Sequence, residues 1–421
     1  MKILVVGGGG REHAIIAKLR ENKQVELVYA LPGNGGIAAL AQCTPIKATD
    51  IEAIRDFAVE KQVDFAVVAP DDPLVLGAVD LLQEAGISCF GPDKAAAAIE
   101  GSKVFAKELM KKYGIPTAAY AVFDNPDEAI KYCAAAPYPL VIKADGLALG
   151  KGVHIAATKE EACAAINSIM RERVFGASGN RVVIEEFLSG PEVSVLAFTD
   201  GYTIRPMISS MDHKRALDND KGLNTGGMGA VAPNPFYTEE IAAECLEKIY
   251  LPTIRAMQAE GRPFKGCLYF GLMLTGCGPR VIEYNCRFGD PEAQVVLPLL
   301  QSDLLTVMQA VAKERLHETD VVFSGENACC VVLASGGYPK HYDTGFPITI
   351  GQTGQTQIYH AGTKLKNGRI YTNGGRVLGL TALAPTLPAA VEQAYAAAEK
   401  IDFTNKYCRR DIGGQALLKK E

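Results

Sequence analysis

At 421 residues, with 48% hydrophobic and 22% charged side chains, the chain has a globular composition and is long enough for about two to four domains, because single cores stop growing near ~250–300 residues. A formal charge of -5 and a pI near 5.8 give no overall basic field for a nucleic-acid backbone, and no apolar run approaches the roughly 20 residues of a membrane helix. The eleven cysteines are scattered, none in a C-x-x-C pair, which fits free thiols in a reducing cytoplasm better than a disulfide framework.

The first hundred residues alternate short apolar runs with helical patterns. KILVV (2–6), VELVYA (25–30), DFAVVA (64–69) and ISCF (87–90) read as strands; about 13–21, 51–61 and 73–85 read as helices. Such alternation predicts a parallel sheet covered by helices. A long Ala-rich helical stretch spans roughly 94–113 and stops at Gly114, as a C-terminal cap would require. Strands follow at 115–123, 139–145, 152–157 and 181–188. Between them lie helices opened by Asn125-Pro126 and by Thr158 with Glu161 three residues on, both N-terminal capping patterns. A hairpin over 192–207 turns at Asp200-Gly201, a favoured two-residue turn. The polar stretch Asp212–Pro233 then reads as one long irregular loop, of a kind that is usually functional. Residues 327–421 return to β-rich text, with strands near 328–334, 356–360, 369–371 and 376–383 and a helix near 388–401.

Three segments carry chemistry. GGGGREH (7–13) follows a strand and opens a helix, where free N–H groups favour a phosphate, unless it is only a tight strand-to-helix turn. Glu12 replaces the third glycine of a dinucleotide fingerprint, and no acid follows the second strand, so NAD is disfavoured. GLALGKG (146–152) resembles a phosphate cradle, yet its spacing and the strand after it exclude a Walker A loop and suggest a flap over a triphosphate. Lys143, between Ile142 and Ala144, would be costly to bury unpaired, which favours a phosphate partner over a snorkelling lysine. In VIEYNCRFGDPE (281–292), Glu283, Asn285 and Arg287 recur with period two and share one face of a strand. A carboxylate and an amide oxygen side by side suit Mg²⁺ with phosphate oxygens, and Arg287 would grip a transferring phosphoryl group; the alternative is the polar outer face of an amphipathic strand. Asp71-Asp72-Pro73 doubles as a helix N-cap, and DHKR (212–215) with NTGGMG (224–229) offers a basic cluster and free N–H groups for an anionic substrate, the alternative being a solvated charge cluster.

Together these motifs, with FGP to GSK (90–103), IEEFLSGPEVS (184–194) and HAGTK to TNGGRVL (360–378), resemble the phosphoribosylamine–glycine ligase family of the ATP-grasp superfamily over nearly the whole chain. The resemblance implies a multidomain α/β and α+β protein: an N-terminal parallel α/β (pre-ATP-grasp) domain over 1–101, an ATP-grasp domain over 102–325 with a mobile lid at about 119–189, and a β-rich α+β C-terminal domain over 326–421. It implies ATP-dependent joining of glycine to 5-phosphoribosylamine through glycyl phosphate; another carboxylate–amine ligase of purine metabolism is the alternative. On this resemblance Lys103, Lys143, Gly146, Gly150, Lys151 and Gly152 hold the ATP phosphates, Glu185, Glu186, Phe187 and Leu188 line the adenine, and Glu192 binds ribose hydroxyls. Glu283 and Asn285 would coordinate Mg²⁺ or Mn²⁺, with Arg287 and Lys143 as the catalytic charges. Gly9, Gly10, Glu12, Asp71, Asp212, Lys214, Gly226, Gly227, Arg287 and Asp290 would receive the small substrates. No nucleic acid or membrane partner, a cytoplasmic location and a monomer are expected. Gly8, Asp71 and Leu223 depart from the family pattern, where Asn, Glu and Pro are usual, without removing a charge that the mechanism needs.

Overall fold

The computed structural model describes residues 1–147 and 152–418; Gly150 and Lys151 lie outside the described residues. The N-terminal unit is a five-stranded parallel sheet in the order Gln42–Cys43, Leu27–Pro32, Lys2–Gly7, Phe65–Val68, Ser88–Phe90. Its central strand is covered on both faces, so Ile3, Leu4, Val5 and Val6 are all fully buried, as a continuous apolar run in a parallel sheet should be. The first helix begins at Gly10, not near residue 13, and runs Gly10–Leu19. Glycines are poor helix formers, but the Glu12 carboxylate turns back to accept from the Gly9 N–H at 2.5 Å and secures the first turn.

The stretch 94–113 is two helices, Lys94–Gly101 and Lys103–Lys112. Gly101 weakens the first, and Ser102 is extended (φ -140°, ψ 113°), its hydroxyl accepting from Phe105 N at 3.1 Å. Serine favours this capping role over a helix interior. The break separates Glu100 from Lys103 and lets each serve the site from its own helix.

Two four-stranded antiparallel sheets follow. One holds Tyr120–Phe123, Val182–Glu186, Leu140–Ala144 and Val153–Ala156 in that order, backed by the helices Pro126–Ala135 and Lys159–Ile166, which Asn125 and Thr158 cap. It has its own core around Ala129, Cys133, Leu140, Ile142 and Ile184. The strand expected over 115–123 is shorter because Thr117 is drawn away to bridge Val281. The other sheet holds Ile204–Pro206, Glu192–Asp200, Lys265–Thr275 and Gly278–Asn285; the hairpin turns where expected, with Asp200 Oδ1 accepting from the N–H groups of Tyr202 and Thr203.

The stretch 212–233 is not an irregular loop. It contains the strands Met211–Asp212, Arg215–Leu217, Lys221–Asn224 and Gly229–Ala232. Arg215–Leu217 and Lys221–Asn224 form a small exposed hairpin without apolar alternation, and Gly229–Ala232 is four small residues, so neither carries a strand-like pattern. Gly229–Ala232 lies between Met211–Asp212 and Asn327–Ser335 in a six-stranded sheet completed by Arg376–Ala384, Gln357–His360 and Lys406–Tyr407. The C-terminal sheet therefore incorporates strands from the middle of the chain. A shared core also joins Ile3 and Val5 of the first sheet to Leu297, Val307, Ala328 and Cys330. Among the described residues no helix is long and apolar enough to cross a membrane.

Candidate active site

Between the two antiparallel sheets lies a cluster of lysines around one carboxylate. Lys143 projects from Leu140–Ala144 and Glu185 from Val182–Glu186; both are almost wholly buried. Glu185 pairs with Lys143 at 2.9 Å through Oε1 and with Lys107 at 2.8 Å through Oε2. Lys143 also donates to the Ile282 carbonyl at 3.0 Å, and Lys107 to Thr117 Oγ1 at 2.8 Å. The expectation that Lys143 needs a phosphate to escape an unpaired burial is therefore corrected: a protein carboxylate already compensates it. Burial brings the Lys107 ammonium down to about 8, against the opposing pull of Glu185. One helical turn away, Lys103 donates to the Gly146 carbonyl at 2.8 Å; burial lowers its pKa, opposed by Glu283. Gly146 adopts φ +118°, a conformation that glycine accepts most readily.

Glu186 lies on the opposite side of its strand from Glu185 and accepts from Ala119 N at 2.8 Å while pairing with Arg280 at 3.0 Å. Phe187 is exposed and Leu188 half-buried, at the exit of the strand.

Glu283 and Asn285 share one face of Gly278–Asn285, opposite Gly271 and Tyr269 respectively. Burial opposes the Glu283 charge, but Lys214, Lys143, Lys103 and Arg287 outweigh it and hold the carboxyl below its usual range. Arg287 pairs with Glu100 at 3.1 Å, stands 4.0 Å from Asp71, and donates to Asn285 Oδ1 at 3.4 Å. Glu100 is in turn held by Cys286 N at 2.6 Å. Arg287 Nε is buried without a hydrogen-bond partner among the described residues. Buried donors of this kind are rare without a purpose.

A third cluster adjoins the second through Lys214, whose Nζ contacts Glu192 at 2.9 Å and stands 3.8 Å from Glu283. Asp212 lies two residues earlier on the strand Met211–Asp212. Beyond it Arg376, on Arg376–Ala384, donates to the carbonyls of Gly226 and Asp290, both at 2.6 Å, and stands 3.4 Å from the Asp290 carboxylate. Asp290 also accepts from Gln294 at 2.7 Å. From the N-terminal helix, Arg11 donates to Glu12 at 2.6 Å and to the Phe288 carbonyl at 3.1 Å. The glycine-rich loop is packed from all sides: a Cβ at Gly9 would fall 3.2 Å from Asp290 Oδ2, and one at Gly10 would fall 2.5 Å from Gln294 Nε2. The helix start therefore faces the carboxylates of Glu12 and Asp290. Arg11 and Arg376 balance these two carboxylates, so the helix start presents both donors and acceptors to a ligand.

The folded chain thus links Lys103, Lys143, Glu283, Asn285, Arg287, Asp71, Asp212, Lys214 and Glu192 through ion pairs, hydrogen bonds and facing charges, with Gly9, Gly10, Glu12, Gly226, Gly227 and Asp290 grouped around Arg11 and Arg376. Sequence reading missed Lys107, Glu100, Arg11 and Arg376. Lys107 stands four residues after Lys103, on the same helical face, and Glu100 is a lone acid in an alanine-rich helix; both signals were present. Arg376 lay within TNGGRVL, but nothing in its spacing linked it to residues 226 and 290.

Among the described residues no group of three or more His, Cys, Asp or Glu is placed to hold a metal ion. A divalent ion at Glu283 and Asn285 would depend on oxygens from a ligand, which is how Mg²⁺ is commonly bound beside phosphates. The donor set fits such an ion.

Family models match almost the entire chain: phosphoribosylglycinamide synthetase N domain over residues 1–100, ATP-grasp (A) domain over 101–293, and C domain over 328–415. Among curated relatives, the chain is 47% identical to the phosphoribosylamine–glycine ligase of Caldanaerobacter subterraneus subsp. tengcongensis, covering 98% of this chain and 99% of that one. It is 46% identical to part of the human trifunctional purine biosynthetic protein adenosine-3, covering 99% of this chain and 42% of that one. Among solved structures, phosphoribosylamine–glycine ligase from Thermotoga maritima superposes with a TM-score of 0.87 at 34% identity, over 98% of this chain and 100% of that one. A biotin carboxylase–beta-gamma-ATP complex from Campylobacter jejuni reaches a TM-score of 0.75 at 15% identity, covering 96% of this chain and 92% of that one, a likeness of fold.

Proposed function

The chain belongs to the phosphoribosylglycinamide synthetase family, and from that premise we infer that it joins glycine to 5-phosphoribosylamine at the expense of ATP, giving glycinamide ribonucleotide, ADP and phosphate in purine biosynthesis. The observation that supports this reading within the fold is the position of Lys214. It connects the lysine cluster and the carboxylate–amide pair, through Glu283 and Glu192, to the acids and backbone donors grouped at the glycine loop.

In this reading Lys103 and Lys143, with Gly146, Gly150, Lys151 and Gly152, receive the phosphates; Glu186, Phe187 and Leu188 border the base, and Glu192 the ribose. Glu185 acts differently from the expectation: it is the counter-ion of Lys143 and Lys107, and so orients both ammonium groups rather than standing free beside the adenine. Glu283 and Asn285 would hold Mg²⁺ or Mn²⁺, which would supply charge neutralisation at the phosphates. Arg287, locked by Glu100 and Asp71, keeps its fixed fork for the glycine carboxylate and the phosphoryl group moving onto it. The carboxylate oxygen attacks the terminal phosphorus, ADP leaves, and the amine of phosphoribosylamine then displaces phosphate from the acyl carbon. Gly9, Gly10, Glu12, Gly226, Gly227 and Asp290 surround the ribosylamine. The lid over about 119–189 excludes water, because free acyl phosphate hydrolyses. The enzyme acts on small molecules, and we assign it to the cytoplasm as a monomer.

The test is ADP and phosphate release by the purified chain with Mg-ATP, glycine and freshly generated phosphoribosylamine, each omitted in turn. Turnover requiring all three, with glycinamide ribonucleotide as product, is expected. ADP formation indifferent to glycine, or dependent on a different acid, would remove the glycine assignment. Elution and light scattering at the mass of one chain are expected for the monomer.

A further inference from the structure

Asp212 has a position that substrate binding alone does not explain. Its Oδ1 is buried and has no hydrogen-bond partner among the described residues, although an isolated buried carboxylate oxygen is costly. The space beside it is kept open by Gly227, where a Cβ would stand 2.6 Å from Asp212 Oδ1 and 2.3 Å from Pro291 Cδ. Gly227 has φ +112°, and its loop is clamped from the C-terminal sheet by Arg376, which donates to the carbonyls of Gly226 and Gly227. An unpartnered buried oxygen, with only the room of Gly227's missing side chain beside it, is left to receive a donor from a ligand.

The surroundings define which donor. The charged groups facing Asp212 are Glu292, Lys214, Arg376 and Glu192. Glu292 is itself buried and accepts from Ser194 Oγ at 3.3 Å. Burial and then the Glu292 charge push the Asp212 carboxyl well above its usual range, against the opposing pull of Lys214 and Arg376. Among the described residues Asp212 forms no ion pair with the residues read here as metal ligands; Lys214 attracts it and stands 3.8 Å from Glu283. It therefore stands between the phosphoryl-transfer side and the ribosylamine side, where the amide bond must form.

We propose that Asp212 is the general base of the second half-reaction, taking a proton from the ribosylamine nitrogen as that nitrogen attacks the glycyl carbonyl. The proposal rests on the ligase reading above. The nitrogen lone pair forms the new C–N bond, the C–O bond to phosphate breaks, and phosphate leaves with that electron pair. The proton that the nitrogen must lose passes to Asp212 Oδ1 and goes to solvent when product departs. A carboxylate of raised basicity suits this transfer better than an ordinary exposed one.

The experiment compares wild type with Asp212→Asn in two assays. One is complete ligation. The other is glycine-dependent positional isotope exchange within ATP, run without phosphoribosylamine, which needs phosphoryl transfer only. The variant is expected to lose about 10²–10⁴-fold in kcat for ligation and to keep exchange within about threefold of wild type. The acid limb of the wild-type kcat–pH profile is expected to vanish with it. Ligation near the wild-type rate, parallel loss of both reactions, a persistent acid limb, or a raised KM for phosphoribosylamine at unchanged kcat would each overturn the proposal. If Asn is not tolerated by the fold, Asp212→Ser with added formate replaces it. Restored ligation supports the base, and exchange without restoration counts against it. Absence of glycine-dependent exchange in wild type would instead remove the ligase reading itself.

Discussion

Glu185 sits between two ammonium groups and gives one oxygen to each. Deleting one member of a buried ion cluster leaves the others uncompensated, at a cost of about 3–5 kcal/mol. Glu185→Gln is therefore expected to lower the free energy of unfolding by that amount in urea titrations, and to raise the KM for ATP by disorienting Lys143. Adding Lys107→Met, which removes one orphaned cation, should recover part of the lost stability. An unchanged denaturation midpoint in Glu185→Gln would show that water, not Glu185, compensates the lysines. At this scale the sequence was most informative where a residue's period coincided with its element: Glu283 and Asn285 two apart in a strand had to share a face. It was least informative where partners are distant along the chain. Glu185 could be read only as one of two adjacent acids, because its lysines come from a helix and a strand tens of residues earlier.

Elements show the same division. Alternating runs at 2–6, 25–30, 64–69 and 87–90 disclosed the parallel sheet, since burial on both faces leaves a run that needs no partner to be recognised. The hairpin Arg215–Leu217 with Lys221–Asn224 carried no such signal, because it is held from outside by its neighbours. Arg409, almost fully buried, pairs with Asp220 at 2.8 Å and Asp411 at 2.7 Å, and donates to the Arg215 carbonyl at 3.1 Å. Beside it His213 Nε2 accepts from Gly413 N at 3.0 Å, which fixes that nitrogen in its unprotonated form. Burial, and then the Arg409 charge, lower the His213 pKa from 6.5 to about 4. Between these values the unfolded chain binds the proton and the native chain does not, so stability rises with pH and is lost as pH falls from 6.5 toward 4. On going from pH 7 to pH 5, His213 should contribute a loss of about 2 kcal/mol. Urea titrations at the two pH values should show this decline in wild type and a smaller one in His213→Gln.

At the scale of the whole molecule, three sections of chain meet at one arginine. Arg376 reaches from the C-terminal sheet to carbonyls at 226 and 290, next to the N-terminal glycine loop. Arg376→Ala is expected to raise the KM for phosphoribosylamine at least about tenfold, since charge-assisted bonds contribute more than neutral ones. Glycine-dependent isotope exchange should change little, because the contacts of Arg376 go to residues 226, 227 and 290 rather than to those around Glu283. Equal loss of both activities would assign Arg376 to the fold at large. The family resemblance made the order of units legible from the sequence, but a division of the C-terminal sheet from the middle of the chain missed the strands they share. The sharing was hidden because Gly229–Ala232 is only four small residues, identifiable as a strand only once Asn327–Ser335 lies beside it.

That shared sheet imposes an order on biosynthesis. Gly229–Ala232 leaves the ribosome roughly a hundred residues before its neighbour Asn327–Ser335, a delay of about 5–20 s at ribosomal rates of ~5–20 residues per second. Until then its N–H and C=O groups form an open edge, and an open edge is a template for the wrong partner. The N-terminal parallel sheet closes early on its own strands, whereas the middle of the chain stays unfinished until nearly the last segment is made. A nascent chain stalled before residue 327 would be a natural client for a chaperone that shields strand edges, and a truncated one a natural seed for aggregation.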